Sequence, residues 1–298
     1  MPAAPTEPSA APANAPQHAT FPRPGSALYH GLRLVPGDRR EAMDTWMRWW
    51  HELARIPTTV QDPGVAETKL RWWLQELQDT AEGRPHHPLM KQRVAAQLPV
   101  GCEWPARAAW QGQVEGLIQL VHQTRWMDEA HFARHAEQTT GRACEGAALL
   151  LGASGETAAD AARRLGVGLR MAHRLSRLGQ DGRAGWVNVG IDVLQAHGVR
   201  AHQLTQPDAK APPEGWASLL SDLQARAAGP LGEALAAIRA LPGEQARALR
   251  PLVALAHIAL QQVQVVGSAG DAVLHQRLLL TPLRKAWIAQ RVEWGWLR

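Results

Sequence analysis

The chain has 298 residues, of which 45% are hydrophobic and 20% charged, and its formal charge is +5. That is the composition of a soluble globular protein. Its two cysteines, Cys102 and Cys144, stand far apart without C-x-x-C or histidine spacing, which excludes a disulfide framework and a zinc site and fits a reducing compartment.

Residues 1–25 are rich in Ala and Pro, carry few large aliphatics and have no period, so they are expected to form a disordered tail and not a secretory signal. From residue 26 the pattern is helical. Asp38 and Glu41 have capping-box spacing, and Met43, Trp46, Met47, Trp50 and Leu53 follow at helical intervals until Pro57, where the helix is expected to end. A second helix should start at Asp62-Pro63-Gly64, with Ala66, Leu70, Trp73, Leu74 and Leu77 on one stripe, and end at "EGRPHHP". Further helices carry Trp110, Val114, Leu117 and Val121, then Ala136, Ala147 and Leu150, then a run from about Glu156 to Gly179. "GWVNVGIDVL" is the single strand candidate, 203–217 reads as a loop, and two or three helices complete the chain. No apolar run approaches the length of a spanning helix. The expected architecture is all-α, one helical domain over 26–298.

Aromatic usage is skewed: thirteen Trp against one Tyr and two Phe. Indoles bury much area but need a partner for the N–H, so this many imply a deep core or a lined cavity. The positive charge suits anionic partners such as nucleic acid, phosphorylated small molecules or an anionic membrane surface, although solubility alone also produces a modest excess. Arg170, Arg174, Arg177 and Arg183 crowd the stretch 169–186, which holds a single acid, Asp181. Without a recognised motif or an aromatic and basic platform, a nucleic-acid partner is not favoured.

Several segments resemble, in order, the squalene/phytoene synthase family: "GSALYHGLRLVPGDRREAMDTW", "KLRWWLQELQDTAEGRPHHP", "RLGQDGRAGWVNVGIDVLQAHGV" and "HQRLLLTPLRKAW". The resemblance implies an isoprenoid-synthase-like fold that joins prenyl diphosphates head to head with magnesium held by two D-x-x-x-D motifs. At the first motif this chain has Ala54 and Thr58. At the second it has Arg177 and Asp181, and the accompanying Gln and Asn are Arg170 and His173, with Asn188 in place of a tyrosine. Residues 170, 173, 177 and 181 share one helix face. Asp181 is left as the degenerate metal position. Ser26, Tyr29, Arg170, His173, Arg177 and Arg183 are the candidate ligand-binding residues. Of the other acids, Glu52 is read as a buried salt-bridge partner, and His86-His87 as loop residues.

The expectation is therefore a diverged family member without magnesium-dependent catalysis, binding a prenyl diphosphate, an anionic lipid or a protein partner. The alternative is an active prenyltransferase using Mg2+. "ELAR" with a following "DP" turn is also similar to a divergent branch whose relatives assist respiratory complex assembly, which is the ground for the protein partner. The location implied is cytoplasmic, peripheral to the inner membrane face.

Overall fold

Asp62 begins the clearest helix: its Oδ1 accepts from Val65 N at 2.8 Å, and Pro63 follows at the first helical position, where its missing N–H leaves nothing unpaired. The computed structural model describes residues 21–297 apart from 124 and 209. In chain order the helices are α1 (Ala27–Leu32), α2 (Arg40–Thr59), α3 (Pro63–Ala81), α4 (Pro88–Ala95) and α5 (Arg107–Val121). After the short strand β1 (Arg125–Trp126) come α6 (Glu129–Ala136), a π-turn over Glu137–Gly141, α7 (Arg142–Leu150) and α8 (Glu156–Arg183). Strand β2 (Val187–Gly190) is followed by α9 (Ile191–Ala196), α10 (Ala201–Thr205) and α11 (Trp216–Ala240). The last elements are α12 (Gly243–Ala248), α13 (Arg250–Ala269), α14 (Ala272–His275) and α15 (Pro282–Glu293). The β1–β2 pair is parallel, and β2 falls inside the expected strand segment.

Three expectations change. Helix α2 continues through Pro57 to Thr59, and it starts after a 3-10 turn in which Asp38 is exposed and caps nothing. Pro57 is buried one turn from the helix end, and the Thr58 and Thr59 hydroxyls donate to Arg55 O, so little helical bonding remains to be lost there. Five helices follow residue 215 in place of two or three. Helix α13, at 20 residues, is long and apolar enough to cross a membrane, whereas no such run was expected. It packs against α1, α8, α11 and α15 and buries Leu252, Val253, Ala256, Val263 and Val266, as a core helix does. The expected disorder of 1–20 lies outside the described residues. Residues 21–25, read with that tail, make contacts: Arg48 Nη2 donates to Phe21 O at 3.1 Å, and Lys285 Nζ to Gly25 O at 3.2 Å.

Most tryptophans are core. Trp46, Trp49 and Trp110 are fully buried with ring centroids 4.4–5.2 Å apart, filling the space between α2, α5 and α7. Trp46 Nε1 donates to Ala143 O at 2.9 Å and Trp110 Nε1 to Pro105 O at 3.0 Å. This group packs ring against ring and does not line an open cavity.

Helix α8 is the element around which the others assemble, packing on α7, α11, α13, α14, α10 and the π-turn. Its glycines set those approaches. A Cβ on Gly179 would lie 2.0 Å from Leu274 O, and one on Gly182 2.3 Å from Leu204 O, so α14 and α10 seat directly on the α8 backbone. Behind α8 a buried ion pair joins it to α6: Arg174 Nη1 donates to Glu129 Oε2 at 2.9 Å, and Nη2 lies 2.7 Å from Oε1. Arg174 also donates to Asn188 O at 3.2 Å and covers the Phe132 ring at 4.2 Å. His135 lies against Trp126, 4% exposed, and burial, aided by Arg170 and His131, pushes its imidazole down to about 3.

Two predictions follow from this packing. Gly179→Ala should destabilise the protein by about 1–3 kcal/mol through overpacking. Gly232→Ala on α11, where nothing lies within 4 Å, should be neutral or stabilising by about 0.5–1 kcal/mol. Thermal melts of the two variants check both, and an equal response would contradict the close seating of α14.

His135 stays neutral in the folded chain while the unfolded chain protonates near 6.5. The unfolded state therefore binds more protons between about pH 6.5 and 3, and stability falls as pH drops through that window, by up to about 1.4 kcal/mol per pH unit from this residue. Urea midpoints against pH should be flatter in His135→Gln, and identical slopes would refute the assignment.

Candidate functional site

The C-terminal half of α8 carries Arg170, His173, Arg177 and Asp181 on one face, and the structure keeps them together. His173 is accessible to solvent yet enclosed by protein, since burial, then Arg170, Arg177 and Arg277, push its imidazole down to about 3. Arg170 is half-buried beside it, its guanidinium pushed down to about 10 by burial, with Asp181 opposing and Arg174 and Arg177 adding to the shift. Among the described residues no carboxylate forms an ion pair with Arg170; the group 5.8 Å away is the Phe132 ring.

Asp181 is fully engaged. Its Oδ1 accepts from Arg177 Nε and lies beside Nη2, each at 3.0 Å, and its Oδ2 accepts from Asn188 Nδ2 at 3.1 Å. Asn188 in turn is buried, with Oδ1 3.5 Å from Trp126 Nε1. Strand β2 therefore fixes Asn188, Asn188 and Arg177 fix Asp181, and Asp181 aims Arg177. Among the described residues no three His, Cys, Asp or Glu side chains are placed to hold a metal ion. The side chains of this face do not fit the magnesium cluster that the sequence resemblance implies.

The positive groups extend beyond α8. Arg277, in the loop before α15, is held below its usual range by burial and then by Arg177, with Asp181 opposing and Arg23 adding to it. Lys285 on α15 is lowered by burial and then by Arg277, and His30 on α1 by burial, then Lys285 and Arg33. These shifts trace a line of cations from α8 through Arg277 to Lys285 on α15, with the imidazole of His30 on α1 beside it. Sequence reading missed Arg277 because it lies in irregular chain between two helices, where no periodicity marks it. Its place within the segment "HQRLLLTPLRKAW" was its one available signal.

The remaining candidates sit elsewhere. Ser26 caps α1, its Oγ accepting from Tyr29 N at 3.1 Å. Tyr29 lines a groove of about 160 Å3 with Pro22, Leu32, Val35, Arg40 and Met43 that none of the α8 candidates lines. Arg183 clasps α14 by donating to Leu274 O. On α2, which like α8 packs on α7, Ala54 is half-buried and Thr58 exposed. Glu52 is exposed, 3.7 Å from His87 Nε2, and so is not a buried partner. Glu76 takes the buried role: its Oε1 accepts from His86 N at 2.9 Å and His87 N at 2.8 Å, pinning the loop before α4.

Three solved structures are similar over most of the chain. A dehydrosqualene synthase in complex with ligand superposes with a TM-score of 0.71 at 15% identity, covering 91% of each chain. Squalene synthase HpnC from Alicyclobacillus acidocaldarius gives 0.62 at 13% identity, covering 83% of this chain and 85% of that one. YisP from Bacillus subtilis subsp. subtilis strain 168 gives 0.58 at 16% identity, covering 89% of each. At these identities the likeness establishes the all-helical isoprenoid-synthase-like fold. No curated protein matches the sequence significantly. The family model for squalene/phytoene synthase matches residues 21–284, so the chain belongs to the squalene/phytoene synthase family.

Proposed function

We propose that this protein is a diverged squalene/phytoene synthase homologue that binds a prenyl diphosphate or anionic lipid head group through cationic side chains and without magnesium-dependent catalysis. The observation that carries the reading is the pair Arg170 and His173, enclosed by protein yet accessible, with no carboxylate paired to Arg170. A desolvated guanidinium favours an anion, and its fork matches phosphate oxygens in paired geometry. Arg177 stands beside it, oriented by Asp181, and Arg277 approaches from the α15 side. These groups neutralise phosphate charge as a metal does, but they present no acid set for the cations that make diphosphate a leaving group.

Calorimetry with farnesyl diphosphate and with inorganic pyrophosphate tests this. Binding should persist in EDTA and weaken with added salt. Arg170→Gln with Arg177→Gln should weaken it at least about tenfold, the loss of a charge-assisted bond or more, while Arg239→Gln on the exposed side of α11 should have little effect. An anion that offsets the positive neighbours removes part of the downward push on His173, so the complex takes up a proton more readily. The free imidazole titrates at about 3, so affinity should rise only as pH falls below about 5, and His173→Asn should remove that part of the dependence. Binding only with divalent metal, or equal losses at all three arginines, would overturn the reading. Magnesium-dependent formation of a condensed product, abolished by Asp181→Ala, would establish instead an active prenyltransferase.

A further inference from the structure

Helix α15 leaves one face unpartnered. Leu283, Trp287 and Trp294 recur along a single stripe and are 83%, 51% and 50% exposed, while Ile288, Ala289 and Val292 pack inward. Gly295, at φ +77°, reverses the chain so that Trp296 N donates to Arg291 O at 2.9 Å. That turn brings Trp296 back onto Trp294, ring centroids 4.8 Å apart, with Trp287 5.7 Å from Trp294. Trp296 is still 64% exposed. Three of the four exposed tryptophans of the described chain therefore form one preassembled surface cluster, the fourth being Trp72.

We infer that this cluster docks the protein on an anionic lipid bilayer surface. The charge distribution selects that occupant. Two basic side chains of α15, Arg284 and Arg291, flank the stripe against one acid, Glu293. Glu293 is already engaged, accepting from Gln290 Nε2 at 3.0 Å. Arg284 and Arg291 lie along one edge of the apolar stripe by helical spacing, in position to meet lipid phosphates as the indoles enter the headgroup layer. Indole suits that layer because its ring is apolar while its N–H needs a polar partner. Lys285, on the same helix, points the other way and donates to Gly25 O. The inference rests on this surface and does not require the α8 face to bind anything.

Co-sedimentation of the full chain with phosphatidylcholine vesicles, with and without phosphatidylglycerol, tests it. Binding is expected to the anionic vesicles at low salt, with the protein's fluorescence quenched by brominated lipid. The triple change Trp287→Ser, Trp294→Ser and Trp296→Ser should weaken it at least about tenfold, given the apolar area removed, with an unchanged melting curve. Trp72→Ser should not weaken it. Arg284→Gln with Arg291→Gln, which disturbs no packed indole, should remove the preference for anionic vesicles. The inference fails if the full chain does not bind anionic vesicles at low salt, or if the tryptophan variant binds as well as the parent. It also fails if sedimentation equilibrium shows a dimer that the tryptophan variant dissociates while no vesicle binding is seen, since the cluster would then join two copies of this chain.

Discussion

A charge inside a protein needs a counter-charge or a strong dipole, and the central helix α8 carries three arginines where neighbours press on it from every side. Arg174 is matched by Glu129, and Arg177 by Asp181. Arg170 has the face of Phe132 and no carboxylate. Much of the surrounding architecture serves the first two pairings. Glu129 opens α6, and its Oε2 lies 3.4 Å from Gly190 N as well as bonding Arg174, so β2 is drawn onto α8. That strand delivers Asn188 to Asp181. The third arginine is what remains after the fold has balanced these two pairs.

This ordering gives Asp181 its role. A lone carboxylate beside several cations could be a remnant metal ligand or the group that keeps the cations apart and aimed. Both of its oxygens are committed to protein donors. Withdrawing it would leave Arg177 unpaired beside Arg170 and Arg277, each of which its charge already pushes down. A phosphate group bound at this face would relieve the same repulsion from the other side. Asp181 and an anionic ligand therefore act on one electrostatic problem, and the acid makes the empty site tolerable.

The helices were legible wherever burial followed a 3.6-residue period, and the Asp62-Pro63 start was legible because capping is local chemistry. The α8 face was legible for the same reason, as its four residues share one turn-by-turn spacing. What escaped were features set by distant partners. The Arg174–Glu129 pair joins residues 45 positions apart. Arg277 lies in irregular chain, and Pro57 was read by a rule that holds in helix interiors and weakens at the final turn. The buried role fell to Glu76 and not to Glu52, and nothing in their sequence neighbourhoods shows that two backbone N–H groups at residues 86 and 87 turn back onto α3.

Tryptophan usage divides along a related line. Composition alone could not say whether thirteen indoles fill a core or line a cavity, because both bury the same area. The N–H decides several cases. Trp46 and Trp110 each reach a backbone carbonyl, so they are stable fully buried and pack ring on ring. On α15 the helix has already spent its inward face on Ile288, Ala289 and Val292, so indoles at 287 and 294 can only point outward. Their exposure is then a consequence of helical phase, and Gly295 reinforces it by adding a third ring to the same patch. A folding requirement alone would place polar residues there. The apolar stripe runs against that requirement beside two arginines, which is why the outward face of α15, like the cationic face of α8, is read as a place where this protein meets negative charge.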